Sequence, residues 1–282
     1  MNKDEHLDQI LELAIEEDIG DGDHSSLACI PSKKKGTSHL LIKQPGILAG
    51  VEAAQTIFRK IDPRLKTQLF IADGAPVIQG DIAFQVEGRV QSILRAERLV
   101  LNVMQRMSGI ATQTKRYADR LEGLPTRVLD TRKTTPGLRS LEKRAVELGG
   151  GTNHRMGLYD MIMLKDNHID FAGGISQAIR KTLKYLQKKE QSLLIEVEVR
   201  NLDEVQEVLD TGGVDRILLD NFTPEDTRKA VKMIDGAFET ESSGGITLET
   251  IRDYAECGVD YVSVGALTHH IYSLDMSLKA VK

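Results

Sequence analysis

Residues 193–222 read LLIEVEVRNLDEVQEVLDTGGVDRILLDNF. Two short apolar runs, Leu193–Val197 and Arg216–Leu219, flank a stretch with helical periodicity, Leu202–Leu209. An apolar run of strand length, a helix and a second such run argue for a parallel βα unit. The same texture extends outward in both directions. Upstream lie Thr126–Leu129 and Met161–Leu164; downstream lie Ala237–Thr240 and Tyr261–Val264. Helical patterns at Ile175–Leu186, Pro224–Ile234 and Leu248–Cys257 separate most of them. The last four runs recur at roughly 22 residues, a plausible length for one βα unit.

Each of the six runs is followed by polar, charged or glycine residues. These are Asp130-Thr131-Arg132-Lys133, Lys165-Asp166-Asn167-His168, Glu198, Asp220-Asn221, Ser242-Ser243-Gly244-Gly245 and Gly265-Ala266. In α/β barrels that edge is where sites are built. An open doubly wound sheet uses only the two or three loops at its switch point, so six decorated ends favour a closed or nearly closed barrel. Residues 126–268 are too few for eight average βα units, since a full barrel takes about 250 residues. An incomplete α/β (TIM-like) barrel is therefore expected.

The first part of the chain reads differently. Residues 6–17 place Leu7, Ile10, Leu11 and Ala14 on one helical face. Residues 37–50 and 65–91 carry short strand-like runs broken by Gly and Pro, with a helix, Val51–Ile61, between them. Residues 94–121 are helical, with Leu99, Val103, Met107 and Ile110 at helical spacing.

Composition narrows the function classes. The chain has 282 residues, 40% hydrophobic and 28% charged, with a net charge of −5. An acidic chain with no tryptophan argues against a nucleic-acid partner. No apolar run reaches the length of about 18 residues that a membrane span needs. The opening Met1-Asn2-Lys3-Asp4-Glu5 is polar, unlike a secretory signal. Cys29 and Cys257 form no CxxC pair, so a reducing cytoplasm is the expected setting.

Against that acidic background, residues 127–168 hold eight Lys/Arg and five Asp/Glu. A cationic cluster on an acidic protein suits a small anionic ligand better than a polymer. Lys143 and Arg144 read as a solvated helix face, whereas Arg132, Lys133 and Lys165 directly follow strands. Arginine forks carboxylates and phosphates, and lysine adds point charge. Glu196 and Glu198 share one strand face. Glu198 and Asp220 could hold Mg²⁺ or stabilise a cationic sugar, or could simply be salt-bridged to neighbouring lysines. Ser243-Gly244-Gly245 and Gly265-Ala266-Leu267-Thr268 precede helical segments, and glycines let backbone amides approach an anion there. The last two strands of a barrel are the usual place for such a phosphate grip. The histidines show no zinc spacing. His39, His168 and His270 read as surface or structural groups, while His154 and His269 stand beside the other candidates.

Asp130-Thr131-Arg132-Lys133-Thr134-Thr135-Pro136-Gly137-Leu138-Arg139 resembles the DTRKTxPGxR stretch of the quinolinate phosphoribosyltransferases. Glu142-Lys143, Gly149-Gly150-Gly151, Asn153-His154-Arg155 and Lys165-Asp166-Asn167-His168 continue the likeness. So do Ala96-Glu97-Arg98, Ser108-Gly109-Ile110-Ala111-Thr112, Glu196-Val197-Glu198, Leu219-Asp220-Asn221, Ser243-Gly244-Gly245-Ile246 and Gly265-Ala266-Leu267-Thr268-His269. Glu17-Asp18-Ile19-Gly20-Asp21-Gly22-Asp23 also fits, so the likeness spans nearly the whole chain.

The resemblance implies an N-terminal α/β sandwich, residues 1–107 joined by a C-terminal helix at 270–282, and a catalytic incomplete barrel at 108–269. It implies a transferase that joins quinolinate to phosphoribosyl pyrophosphate, releasing pyrophosphate and CO2 and giving nicotinate mononucleotide, a step toward NAD. It further implies a homodimer in which Arg98 reaches the partner's barrel mouth. Arg98, Arg132, His154, Arg155 and Lys165 would form the quinolinate pocket, with Lys133 and Lys165 also facing the donor. Glu198 and Asp220 would face the ribose and Mg²⁺. Ser243, Gly244, Gly265 and His269 would grip the 5-phosphate. Lys133, Lys165, Glu198 and Asp220 are the expected catalytic set. Two other readings stay open: a Schiff-base aldolase using Lys165, and a non-catalytic relative that binds a small anion.

Overall fold

The structure, a computed structural model, describes residues 3–281. Met1, Asn2 and Lys282 lie outside them, and with them part of the opening pentapeptide and the last residue of the expected terminal helix. In chain order the elements are α1 (Lys3–Ile19), α2 (His24–Cys29), β1 (Lys35–Ile42), β2 (Gly46–Ile47), α3 (Val51–Ile61), β3 (Lys66–Leu69), β4 (Pro76–Val77), β5 (Ile82–Arg89) and α4 (Val90–Arg120). There follow β6 (Arg127–Leu129), α5 (Arg139–Leu148), β7 (Ile162–Leu164), α6 (Asp166–Ala172), α7 (Ile175–Lys189), β8 (Ile195–Val199), α8 (Leu202–Thr211) and β9 (Arg216–Asp220). The last are α9 (Pro224–Ile234), β10 (Glu239–Ser243), α10 (Ile251–Ala255), β11 (Tyr261–Ser263), α11 (Ala266–His269) and β12 (Met276–Ala280). The chain divides into two compact units. One takes the residues up to Lys115, Thr134–Gly150, and those from Leu267 on; the other takes Arg116–Lys133 and Gly151–Ala266.

The first unit is built on a four-stranded antiparallel sheet in the order β12-β1-β5-β3. Strand periodicity puts Leu40 and Ile42, Phe84 and Val86, and Met276 and Leu278 on one face. All six are buried in a core with Leu11 of α1, Ile57 and Phe58 of α3, and Ile93, Val100 and Met104 of α4. Helices covering one face of a sheet make the α/β sandwich. Phe58 meets Phe84 edge-on, centroids 5.8 Å apart at 86°, a favoured aromatic geometry.

A strand stands where the sequence suggested a terminal helix over 270–282. β12 pairs antiparallel with β1, Leu278 opposite Leu40 and Met276 opposite Ile42. The two-residue alternation of Met276 and Leu278 decides this: both reach the core only if the segment is extended.

The second unit is a six-stranded, wholly parallel sheet in the order β6-β11-β10-β9-β8-β7. No ladder joins β7 to β6 among the described residues, so the α/β barrel is incomplete. Its helices bury one stripe each: Ala178 and Ile179 of α7, Val205 and Val208 of α8, Ala230 and Ile234 of α9. Caps set their starts. Asn201 Oδ1 accepts the Glu204 N–H at 2.9 Å, and Thr223 Oγ1 accepts the Asp226 N–H at 3.1 Å with Pro224 at the first turn. One strand sits away from its expected place. The apolar run Ala237–Thr240 pointed two residues too early, because β10 is the polar segment Glu-Thr-Glu-Ser-Ser, with Thr240, Glu241 and Ser242 all buried. A polar interior of the sheet hides that strand from any apolar pattern.

Candidate active site

All six parallel strands end on the same edge, and their ends carry the candidates. β6 delivers Asp130, Arg132 and Lys133. Asp130 is fully buried, and its Oδ1 accepts the His154 N–H at 2.8 Å. The strand end is thereby tied to the loop that carries His154 and Arg155. Arg132 is half-buried and Lys133 exposed. Arg155 donates from Nη1 to the Met161 carbonyl at 3.1 Å and sets Nη2 3.6 Å from Met163 Sδ. Burial, and then the charge of Arg132, pull Arg155 below its ordinary value. The charge of Arg132 thus reaches the Arg155 guanidinium.

β7 ends at Leu164 and hands over to Lys165, the residue that precedes α6. Its N–H donates to His168 Nδ1 at 3.0 Å, which fixes the backbone at the helix start. Its ammonium lies 3.6 Å from Glu198 Oε2. β8 is buried along its whole length, and its alternation puts Glu196 and Glu198 on the face opposite Ile195, Val197 and Val199. Burial pushes the Glu198 carboxyl up, Lys165 pulls it back, and Asp220 adds to the rise; the net direction is upward. Glu198 and Asp220 therefore act on each other, with one lysine answering two carboxylates.

Asp220 closes β9, where Asn221 donates to its Oδ2 at 2.8 Å. Asn221 itself has φ 55°, a conformation asparagine tolerates, and its N–H donates to the Ser243 carbonyl at 2.9 Å. Ser243 pairs in register with Asp220. Gly244 follows with φ 99°, and any Cβ there would run into Asn221 Oδ1. Glycine at 244 is thus demanded twice, by backbone conformation and by space. Gly265 follows β11 on the same edge.

The barrel unit thus brings Arg132, Lys133, His154, Arg155, Lys165, Glu198, Asp220, Ser243, Gly244 and Gly265 to one strand edge. Arg98 and His269 belong to the other unit, exposed on α4 and α11.

Deeper in the barrel lies a cluster of which the sequence showed only part. His154 Nε2 is 2.9 Å from Glu196 Oε2 and 3.4 Å from Glu241 Oε2, and all three side chains are buried. Arg216 Nη1 lies 3.2 Å from Glu241 Oε2, its Nη2 2.8 Å from Glu239 Oε2, and its guanidinium 4.1 Å from the centroid of the Tyr261 ring. Burial draws the His154 ring down, but its bonds to Glu196 and Glu241 outweigh that and raise it to about 9. Burial and Glu241 push Glu196 up to about 7, against the pull of His154. His154 Nδ1 accepts the Arg155 N–H at 2.7 Å, which needs that nitrogen bare; the ring's proton then sits on Nε2, toward the carboxylates, and the Arg155 N–H opposes the second protonation that they favour. Glu241 was missed because it lies in the polar strand β10. A glutamate two residues ahead of the Ser243-Gly244-Gly245 loop was the available signal.

An incomplete α/β barrel with arginines, lysines and two carboxylates on its strand edge defines the class: an α/β-barrel protein with a cationic strand edge. The chain belongs to the quinolinate phosphoribosyl transferase family: its N-terminal domain model matches residues 23–108 and its C-terminal domain model residues 110–279. The chain is 45% identical to quinolinate phosphoribosyltransferase (decarboxylating) 2b, mitochondrial, of Nicotiana tabacum, over 97% of this chain and 82% of that one. It is 46% identical, over the same shares, to nicotinate-nucleotide pyrophosphorylase (carboxylating), chloroplastic, of Arabidopsis thaliana. Among solved structures, NadC from Streptococcus pyogenes superposes with a TM-score of 0.93 at 38% identity, covering 100% of this chain and 99% of that one.

Proposed function

We propose that this enzyme transfers the phosphoribosyl group of phosphoribosyl pyrophosphate to quinolinate with loss of CO2, giving nicotinate mononucleotide and pyrophosphate. One observation carries the reading. Arg132, Arg155 and Lys165 follow strands or join loops on one strand edge, where the Lys165 ammonium meets Glu198 at 3.6 Å and the charge of Arg132 reaches Arg155. Two guanidiniums on one edge are answered by a dianion, and each can fork one carboxylate. Arg132, Arg155 and Lys165, with Arg98 from the partner subunit, line the quinolinate pocket, and His154 backs it. Lys133 and Lys165 face the donor, and Ser243, Gly244, Gly265 and His269 take the 5-phosphate.

Glu198 and Asp220 would hold Mg²⁺ together with diphosphate oxygens of the donor. The donor set fits that ion: hard carboxylate oxygens, Glu198 buried and Asp220 half-buried, with one lysine beside them. When bound, the ion neutralises charge building on the departing diphosphate.

The protein's own groups then do the following. Arg132 and Arg155 hold the dicarboxylate so that the ring nitrogen faces C1 of the ribose. The nitrogen–C1 bond forms as the C1–oxygen bond breaks, its electron pair leaving with pyrophosphate. Glu198 and Asp220 face the cationic sugar that passes between. The ring nitrogen now carries positive charge. The bond to the 2-carboxylate breaks, its electron pair stays on that ring carbon beside the positive nitrogen that stabilises it, CO2 departs, and a proton from water takes the pair.

A homodimer with shared sites and a cytoplasmic setting complete the proposal. Cys29 and Cys257, both free thiols, accord with a reducing compartment. No helix among the described residues is long and apolar enough to cross a membrane.

The test incubates the protein with quinolinate, phosphoribosyl pyrophosphate and Mg²⁺, and seeks the mononucleotide by mass spectrometry. Turnover is expected, and Arg132→Ala should lower kcat/KM for quinolinate roughly ten- to a hundredfold in a folded protein. Wild-type turnover by a folded Arg132→Ala variant would remove that arginine from the site.

A further inference from the structure

Glu196 and Glu241 take no part in the reaction as derived above, yet both carboxylates are buried inside the barrel, 0% and 1% exposed. Burying a carboxylate is costly unless a partner answers it. Arg216 answers Glu241 at 3.2 Å. Glu196 has no such arginine contact. Among the described residues its near partner is the His154 ring edge, an ion-pair contact from Nε2 to Oε2 at 2.9 Å, and neither that nitrogen nor the two oxygens finds a hydrogen bond of good geometry elsewhere.

The His154 ring is in turn committed on both sides. Nε2 faces the two carboxylates, and Nδ1 accepts the Arg155 N–H at 2.7 Å. The side chain is only 5% exposed. Neither ring nitrogen is left to meet a ligand, so the ring acts as a strut. Its main chain adds a second tie, the N–H donated to Asp130 at the head of the loop that carries Arg132.

We infer that Glu196 and Glu241 are positioning residues for quinolinate binding. They fix His154 by Nε2, and His154 fixes the backbone of Arg155 by Nδ1. The inference rests on the functional reading above and assigns His154 to the support of the pocket rather than to its lining. A His-Glu-Glu set is also a metal-ligand combination, but Arg216 already supplies a cation beside Glu241.

Glu196→Gln keeps the shape of the side chain and removes its charge. In the full chain the variant should raise KM for quinolinate about tenfold, the worth of one buried charged contact. KM for phosphoribosyl pyrophosphate should stay within about twofold, and saturated kcat should fall less than KM rises. Glu241→Gln should shift the same constant in the same direction, and it serves if Glu196→Gln does not fold. A lowered melting temperature with both KM values unchanged would mean a structural role only and overturn the inference. So would a stoichiometric metal in the wild-type protein that Glu196→Gln loses. NMR of histidine-labelled protein reads the strut without substrate. A low-field Nε2–H resonance of His154 should be present in the wild type and lost in Glu196→Gln. If that resonance is lost as expected while the wild type ignores quinolinate, the functional reading fails and the strut stands. If the resonance is unchanged, the strut fails whatever the substrate.

Discussion

Glu198 is held in a state it does not favour. Burial and the neighbouring Asp220 raise its carboxyl while Lys165 only partly compensates. Groups placed so are frequent where function outranks stability. Glu198→Gln should therefore melt at the wild-type temperature or above while kcat/KM falls roughly ten- to a hundredfold. A variant clearly less stable than wild type would show that the carboxylate is structural. Asp62 is the opposite case. Arg64 binds it through Nε at 2.7 Å and Nη2 at 3.0 Å, and Ser92 Oγ donates at 2.8 Å. Chiefly through Arg64, and against its burial, the Asp62 carboxyl is held well below the ordinary aspartate range. A depressed folded value stabilises fully above the unfolded value, about pH 4, and that stability drains away as pH falls toward the folded value. Asp62→Asn should lose about 2 kcal/mol near neutrality and show a shallower loss of stability between about pH 4 and 2. Parallel acid-denaturation curves for the two proteins would refute the assignment.

At the scale of elements, α4 carries Gly109 in its interior, where alanine would favour the helix by about 1 kcal/mol. Glycine is there for another reason. A Cβ on Gly109 would collide with the Tyr272 carbonyl oxygen and come within 3.1 Å of Ser273 Cα. The segment leading into β12 packs directly on the helix backbone. Overpacking against main chain outweighs propensity, so Gly109→Ala should destabilise by about 1–3 kcal/mol, read by urea denaturation. An unchanged or raised midpoint would show that the segment yields freely. The same region marks where sequence reading stopped. Pro224–Ile234 was legible to the residue, because Pro224 follows the capping Thr223 and the apolar stripe is regular. β12 was not, because five residues with two apolar positions fit either period until β1 stands opposite them. β10 escaped because its buried residues are Thr240, Glu241 and Ser242.

For the whole molecule, the strand edge was legible because polar residues after apolar runs have one common location in a parallel barrel. Arg132, Lys165, Glu198, Asp220 and Ser243 could be picked by position alone. The support beneath them could not, since Glu196 and Glu241 meet His154, and Arg216 meets Glu241, only once three strands are adjacent. If Arg98 serves the partner's site, two inactive proteins should rescue each other. Refolding Arg98→Ala together with Arg132→Ala should restore about a quarter of wild-type activity, one intact site in the mixed half of the dimers. No recovery from well-folded, mixed dimers would place both arginines in the same chain's site.

The central claim is that a bond to the ribose turns the pyridine nitrogen into the electron sink that expels the 2-carboxylate. Quinolinate labelled with ¹³C in that carboxylate tests it most directly. Labelled CO2 should appear only when phosphoribosyl pyrophosphate is present, one molecule for each nicotinate mononucleotide formed. Labelled CO2 without the donor, or a mononucleotide that keeps the label, would contradict the account.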